Sequence, residues 1–150
     1  MKILVVSDSH GHAEPLMEAI EQEQPDALIH LGDGNRDLRG IRLMYPDLEV
    51  YAVAGNCDFY CDESDLLVTD IGGVRIFMTH GHMFGVKQTL SGLVSAAKDH
   101  GAKIAMYGHT HKENYETRRG VTVINPGSIG FSGTYGILTV NGGKFSYEQW

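Results

Sequence analysis

The sequence predicts an α/β domain with two sheets, and two contrasting rhythms along the chain predict it. From residue 3 to residue 54, short apolar runs alternate with stretches of helical periodicity. That β-α-β-α-β order calls for parallel strands joined by right-handed crossovers. From residue 66 onward, apolar runs separated by glycine turns dominate, interrupted by one helical stretch. A third observation locates function. Five polar clusters sit where an apolar run meets glycine: Asp8-Ser9-His10, Gly32-Asp33-Gly34, Gly55-Asn56-Cys57-Asp58, Thr79-His80-Gly81-His82 and Gly108-His109-Thr110-His111. Five such edges in one short chain suggest a single shared site, with Asp33 near its centre.

Each element follows from its pattern. Residues 3–7 read as a buried strand, followed by a loop holding Asp8, His10 and His12. Leu16, Met17, Ala19 and Ile20 carry helical spacing, Glu14 and Pro15 suit a first turn, and Pro25 marks the exit. Residues 27–31 form the second strand. Residues 36–45, with Leu38, Ile41, Leu43 and Met44, predict a short helix ended near Pro46, and residues 50–54 a third strand. In parallel sheets, loops leaving the carboxyl ends of the strands form the ligand crevice, and Asp8, Asp33 and Asn56 all leave such ends. In the second half, Leu66–Ile71 and Val74–Thr79, joined by Gly72-Gly73, read as a hairpin. Residues 89–100 read as a helix with Leu90, Leu93, Val94 and Ala97 on one face and Gly101 as its stop. Residues 103–107 form a strand running into Gly108-His109, and strands follow at 115–118, 121–124, 135–140 and 145–148. No repeat, linker or low-complexity tract divides the chain, so one domain over residues 1–150 is expected.

Composition limits what the site can belong to. A chain of 150 residues with 42% hydrophobic content can bury a core without staples. The formal net charge of -7 argues against a protein that grips nucleic acid through its phosphates, so an anionic ligand must meet a local positive charge. The opening residues hold only a short apolar run, Ile3 to Val6, too few for a signal core or a membrane span, and a cytoplasmic protein is expected. Cys57 and Cys61 are the two cysteines, which is neither a disulfide framework nor a zinc signature, and both read as free thiols.

Asp8 and His10 alternate along what reads as an extended loop, as do His109 and His111, so each pair can turn both side chains toward one centre. A lone D-x-H or H-x-H is more often an incidental polar loop. Joined by Asp33, Asn56 and His80, the pairs read as metal ligands. Imidazole with carboxylate oxygen suits zinc, manganese, iron or nickel better than calcium. Seven donors exceed the needs of one tetrahedral ion with an open position and fit two divalent ions sharing a bridging carboxylate. Such a pair, against two carboxylates and neutral ligands, leaves a positive hollow in an acidic protein. That hollow suits a small phosphate-ester substrate, attacked by a hydroxide formed from metal-bound water.

These residues carry a family resemblance. D-x-H, G-D, G-N-x-D, T-H-G-H and G-H-T-H, in order from Asp8 to His111, resemble the calcineurin-like metallophosphoesterases, and the short chain with Gly55-Asn56-Cys57-Asp58 and Asn125-Pro126-Gly127-Ser128 is similar to the compact YfcE-like phosphodiesterases. The resemblance implies two mixed β-sheets packed as a sandwich flanked by helices, four layers in all, with the site on loops at one edge. It implies that Asp8, His10, Asp33 and His111 hold one metal and Asp33, Asn56, His80 and His109 the other, with Asp33 as bridge and manganese as the usual activator. The implied activity is hydrolysis of phosphodiesters, with phosphomonoesters a further class. The fold is also similar to that of the metallophosphoesterase-like retromer subunit, a scaffold, so a non-catalytic interaction module is the alternative. A full set of competent donors favours the enzyme.

Two departures matter. Relatives often carry, after the glycine-asparagine pair, a histidine that serves the leaving group and is oriented by the next acid. Here that position is Cys57, followed by Asp58. A nucleophilic Cys57 is disfavoured because Asp58, Asp62, Glu63 and Asp65 would raise its pKa, while Asp58 reads as placed to orient an imidazole at position 57. His82 is then the first alternative source of a proton. After Ser128, relatives often carry a basic residue where this chain has Ile129-Gly130-Phe131-Ser132. His30 reads as a core or supporting histidine rather than a ligand, His12 as a residue that can face the site or solvent, and His100 as a solvated helix end. Phe59, Tyr60, Met83, Phe84 and Phe131 wall a pocket, form a contact with a second copy of the chain, or simply pack.

Overall fold

A computed structural model describes every residue from Met1 to Trp150. In chain order the elements are β1 (Lys2–Val6), α1 (Ala13–Glu23), β2 (Ala27–His30), α2 (Asn35–Met44), β3 (Glu49–Ala52), β4 (Leu66–Ile71) and β5 (Val74–Thr79). A 3-10 turn (His82–Phe84) follows, then α3 (Ser91–Asp99), β6 (Ile104–Met106), β7 (Asn114–Arg118), β8 (Val121–Asn125), α4 (Ile129–Ser132), β9 (Gly136–Asn141) and β10 (Lys144–Gln149). The strands form two five-stranded sheets, ordered β10-β9-β1-β2-β3 and β4-β5-β6-β8-β7. Both are mixed. In the first, β1, β2 and β3 are parallel and β9 and β10 return antiparallel. In the second, β5, β6 and β8 are parallel, with β4 and β7 antiparallel at the edges.

The strand period of two sorts the apolar residues into layers. Ile3, Val5 and Ile29 point from the first sheet into a shared core with Ile76, Met78, Ile104 and Met106 of the second. Their neighbours Leu4, Val6 and Leu28 point outward against Leu16 and Ile20 of α1 and Leu38 and Ile41 of α2. On the far side, Phe77, Ala105 and Val123 meet Leu93, Val94 and Ala97 of α3. The architecture is therefore helix, sheet, sheet, helix, the expected sandwich. Because β1, β2, β3, β5, β6 and β8 deliver their carboxyl ends along one edge, five polar loops gather there.

Element ends differ from expectation by a few residues, for local reasons. The strand expected to reach residue 54 ends at Ala52, although Val53 still donates to the His30 carbonyl (3.1 Å). The helix expected from residue 89 begins at Ser91, whose amide donates to Thr89 Oγ1 (3.3 Å). The 3-10 turn and α4 are too short to carry a period. Phe84, in that turn, packs edge-on against the buried Phe77 with ring centroids 5.8 Å apart, so it belongs to the core rather than to a pocket wall.

Candidate metal centre

The two D-x-H and H-x-H pairs are not extended. Asp8, His10, Asp33, His109 and His111 all adopt positive φ, between 47° and 68°. Each such residue without glycine's freedom costs about 1–2 kcal/mol, and the turns swing both members of each pair inward. Backbone bonds between neighbouring loops of each sheet hold the turns in place. Asp8 N donates to the Gly32 carbonyl (3.0 Å), His10 N to the Asp33 carbonyl (2.9 Å) and Gly108 N to the His80 carbonyl (2.9 Å). The Ser128 hydroxyl donates to the Asp8 carbonyl (2.8 Å), and the Ser7 hydroxyl to Asp8 Oδ2 (2.6 Å), which also accepts from His109 N (3.1 Å).

Asp8 Oδ1 is thereby left facing the imidazoles, 3.4 Å from His10 Nε2 and 3.1 Å from His111 Nε2. Across the site, Asp33 Oδ2 lies 3.2 Å from His80 Nε2 and 3.6 Å from His10 Nε2. Two donor groups result, Asp8-His10-His111 and Asp33-His80-His109, each with donor atoms within 4.8 Å of one another. A third group, His10-Asp33-Cys57, links them. The sequence reading did not place the Cys57 sulfur among the donors.

Three observations fit this cluster to divalent cations. His10 Nε2 and His80 Nε2 are buried and, with carboxylate oxygens 3.2–3.6 Å away, make no well-directed hydrogen bond, an arrangement that is costly unless another group meets them. His80 Nδ1 lies 2.7 Å from the Leu31 carbonyl, which can only accept, so Nδ1 carries the proton and Nε2 is aimed inward. This is the usual support of a ligating histidine. The electrostatics agree. Burial works to depress the His80 imidazole, but the Asp33 and Asp8 carboxylates raise it above its ordinary pKa. Burial opposes ionisation of Asp33, yet His80 and the Cys57 amide, donating to Oδ1 at 2.8 Å, hold that carboxyl well below the usual range. Burial and the neighbouring His80 depress His109.

Other expected site residues fall less centrally. Asn56 is exposed, and its amide nitrogen reaches only Cys57 Sγ, at 3.5 Å. The Cys57 thiol is pushed up by partial desolvation and then by Asp33, in line with its exclusion as a nucleophile. Asp58 departs from expectation. Its two oxygens accept from the amides of Asp33 (2.7 Å), Gly34 (3.0 Å), Asn35 (3.1 Å) and Gly55 (2.8 Å). It clamps the Asp33 turn and the start of α2, and is not free to orient a side chain at position 57. His82 Nδ1 is buried without a partner, and the His82 ring lies 5.6 Å from His80 and 6.1 Å from His109.

His30 sits wholly buried beneath the loops. Its Nδ1 accepts from Gly32 N (3.2 Å) and its Nε2 donates to Ser9 Oγ (2.9 Å), which donates on to Asp37 (2.6 Å). Burial lowers its pKa to about 4, so it supports the Asp33 turn as a neutral ring. Ser7, Ser9 and Ser128 position the site through the bonds above, and Asn125 Nδ2 donates to the Gly108 carbonyl (3.1 Å), parts that the motifs holding Ser9, Asn125 and Ser128 do not disclose. No periodicity marks them, and only contacts between distant loops define their part.

Residues 1–143 match the calcineurin-like phosphoesterase superfamily domain, and the chain belongs to that superfamily. Within it, the chain is similar to the probable metallophosphoesterase YsnB of Bacillus subtilis, with 40% identity over 148 residues that cover 93% of this chain and 85% of the relative. It is also similar to the phosphodiesterase YfcE of Escherichia coli K12, with 32% identity over 168 residues covering 92% and 87%. The crystal structure of a Vps29 single mutant from Entamoeba histolytica superposes with a TM-score of 0.81 at 21% identity, covering 100% of this chain and 98% of the other, a likeness of fold. No helix is long and apolar enough to cross a membrane.

Proposed function

We propose that residues 1–150 act as one cytoplasmic hydrolase domain that cleaves phosphodiesters, with phosphomonoesters as a further class, at a binuclear metal site. The carrying observation is the pair of donor groups whose inward His10 and His80 nitrogens make no well-directed hydrogen bond. Asp8, His10, Asp33 and His111 would hold one divalent ion, and Asp33, Asn56, His80 and His109 the other, with Asp33 shared. The donor set suits manganese, with zinc, iron and nickel as alternatives. Divalent ions bound there supply Lewis acidity toward phosphoryl oxygens and ease the deprotonation of water near neutral pH.

The chain's own residues do the rest. Ser7 and the His109 amide fix one Asp8 oxygen so that the other faces inward, and the Leu31 carbonyl fixes the His80 ring. Position 57 offers no imidazole, so leaving groups that depart as anions unaided should react best, and aryl esters should outpace alkyl esters. His82 Nδ1, unpartnered at the edge of the cluster, is the side-chain nitrogen left to meet a leaving group. A non-catalytic binding module of this fold draws support from the likeness to Vps29. The inward nitrogens call for a bound cation in either case, and the likeness to relatives named metallophosphoesterase and phosphodiesterase favours the enzyme.

Hydrolysis of bis(4-nitrophenyl) phosphate tests the proposal. Chelation should abolish it and manganese restore it. Asp33→Asn should lower it by more than about 100-fold, and His100→Ala, at an exposed helix end, should leave it near wild type. Full activity in metal-stripped protein contradicts the proposal.

A further inference from the structure

Phe131 is 60% exposed, yet its ring is held against the candidate ligands. It stacks on His10 with centroids 5.0 Å apart and planes at 27°, and leans on His111 at 5.4 Å and 35°. His12 meets it edge-on at 5.5 Å and 73°. The backbone beneath it is fixed to the Asp8 loop. Ile129 N donates to the Ser7 carbonyl (3.0 Å) and Gly130 N to the Asp8 carbonyl (3.3 Å), while Ser128 Oγ accepts from Phe131 N (3.1 Å). A side chain added at Gly130 would collide with the Ser9 carbonyl, so glycine there lets the short helix sit directly against the Asp8 loop. A large apolar ring is therefore kept in solvent at a fixed place beside the centre, where packing alone does not require it.

We infer that Phe131 is a specificity-determining residue whose free surface stacks on an aromatic group of the substrate, so that the preferred class is phosphodiesters bearing an aryl or nucleoside moiety. This rests on the phosphoesterase reading above. A phosphorus atom between the two donor groups puts its ester substituents within the ring's neighbourhood on the His10 and His111 side. Stacking tolerates any flat aromatic group, because each presents a π-face. A small alkyl substituent gains almost nothing from the same ring.

The test keeps the leaving group constant and varies the retained ester, comparing phenyl 4-nitrophenyl phosphate with methyl 4-nitrophenyl phosphate on manganese-loaded protein. Phe131→Ala should lower kcat/KM about tenfold for the phenyl ester and by less than about twofold for the methyl ester. In calorimetry its affinity for phenylphosphonate should fall about tenfold while that for methylphosphonate holds, and Phe131→Tyr should restore the phenyl-ester kcat/KM and the phenylphosphonate affinity. Equal losses on the two esters, together with equal changes in affinity for the two phosphonates, which carry no 4-nitrophenyl ring, overturn the inference, because the ring would then serve the imidazoles it packs on. Unchanged kinetics and phosphonate binding overturn it as well. Failure of the wild type to hydrolyse either ester contradicts the phosphoesterase reading instead, and the phosphonate pair then decides the stacking claim by itself.

Discussion

Asp58 spends both carboxylate oxygens on the amides of Asp33, Gly34, Asn35 and Gly55, which leaves neither for a ring at position 57. A histidine placed there would have its acid character without the carboxylate that fixes its tautomer. Positioned general acids are worth about 10²- to 10⁴-fold, so Cys57→His should raise alkyl-ester turnover by no more than about tenfold at equal metal content. A leaving-group series read at matched manganese occupancy checks this, and a gain of about 100-fold or more would show that another carboxylate orients the new ring. The same region shows what single residues reveal in sequence. Asp8, His10, Asp33, His80, His109 and His111 are legible as a set because each sits where an apolar run meets glycine, and the structure brings them together. The left-handed backbone of Asp8, His10, Asp33, His109 and His111 is not legible, since polar residues alternating at the end of a strand read as extended. The Asp58 clamp is equally hidden, because its partners lie over twenty residues away in the Asp33 turn, apart from the nearby Gly55.

At the scale of elements, the loops work only if they can approach one another. A Cβ at Gly108 would strike the Ser7 hydroxyl and come within 2.7 Å of Asp8 Oδ2, the two groups that set the Asp8 carboxylate. Gly108→Ala should therefore cost about 1–3 kcal/mol of stability and weaken manganese binding. Gly40, inside α2 with nothing within 4 Å of an added Cβ, gives the contrast. Gly40→Ala should stabilise by about 0.5–1 kcal/mol and leave metal binding alone. Urea melts of both variants with metal titration separate the two outcomes. The hairpin of β4 and β5 is read from sequence to the residue, because Gly72-Gly73 fixes its turn. The α4 helix is invisible there. Its four residues are held by Ser128 and by bonds to the Ser7 and Asp8 carbonyls, none of which leaves a periodic trace.

Over the whole molecule, three apolar layers carry two sheets whose parallel strands open onto one edge. This much is legible in the change of rhythm between the two halves of the chain, though which strand lies beside which is not, since β9 and β10 join the first sheet from the far end of the sequence. The acidic chain, at -7, gathers buried carboxylates and unpaired imidazole nitrogens at that edge. We take this edge to be a two-ion centre organised by Asp33. Calorimetric titration of metal-stripped protein with manganese, read beside elemental analysis, tests it most directly. Two ions per chain are expected for the wild type, with Asp33→Asn weakening both together. Saturation at a single ion per chain, or an Asp33→Asn protein that still binds two with wild-type affinity, would rule out a two-ion centre organised by Asp33.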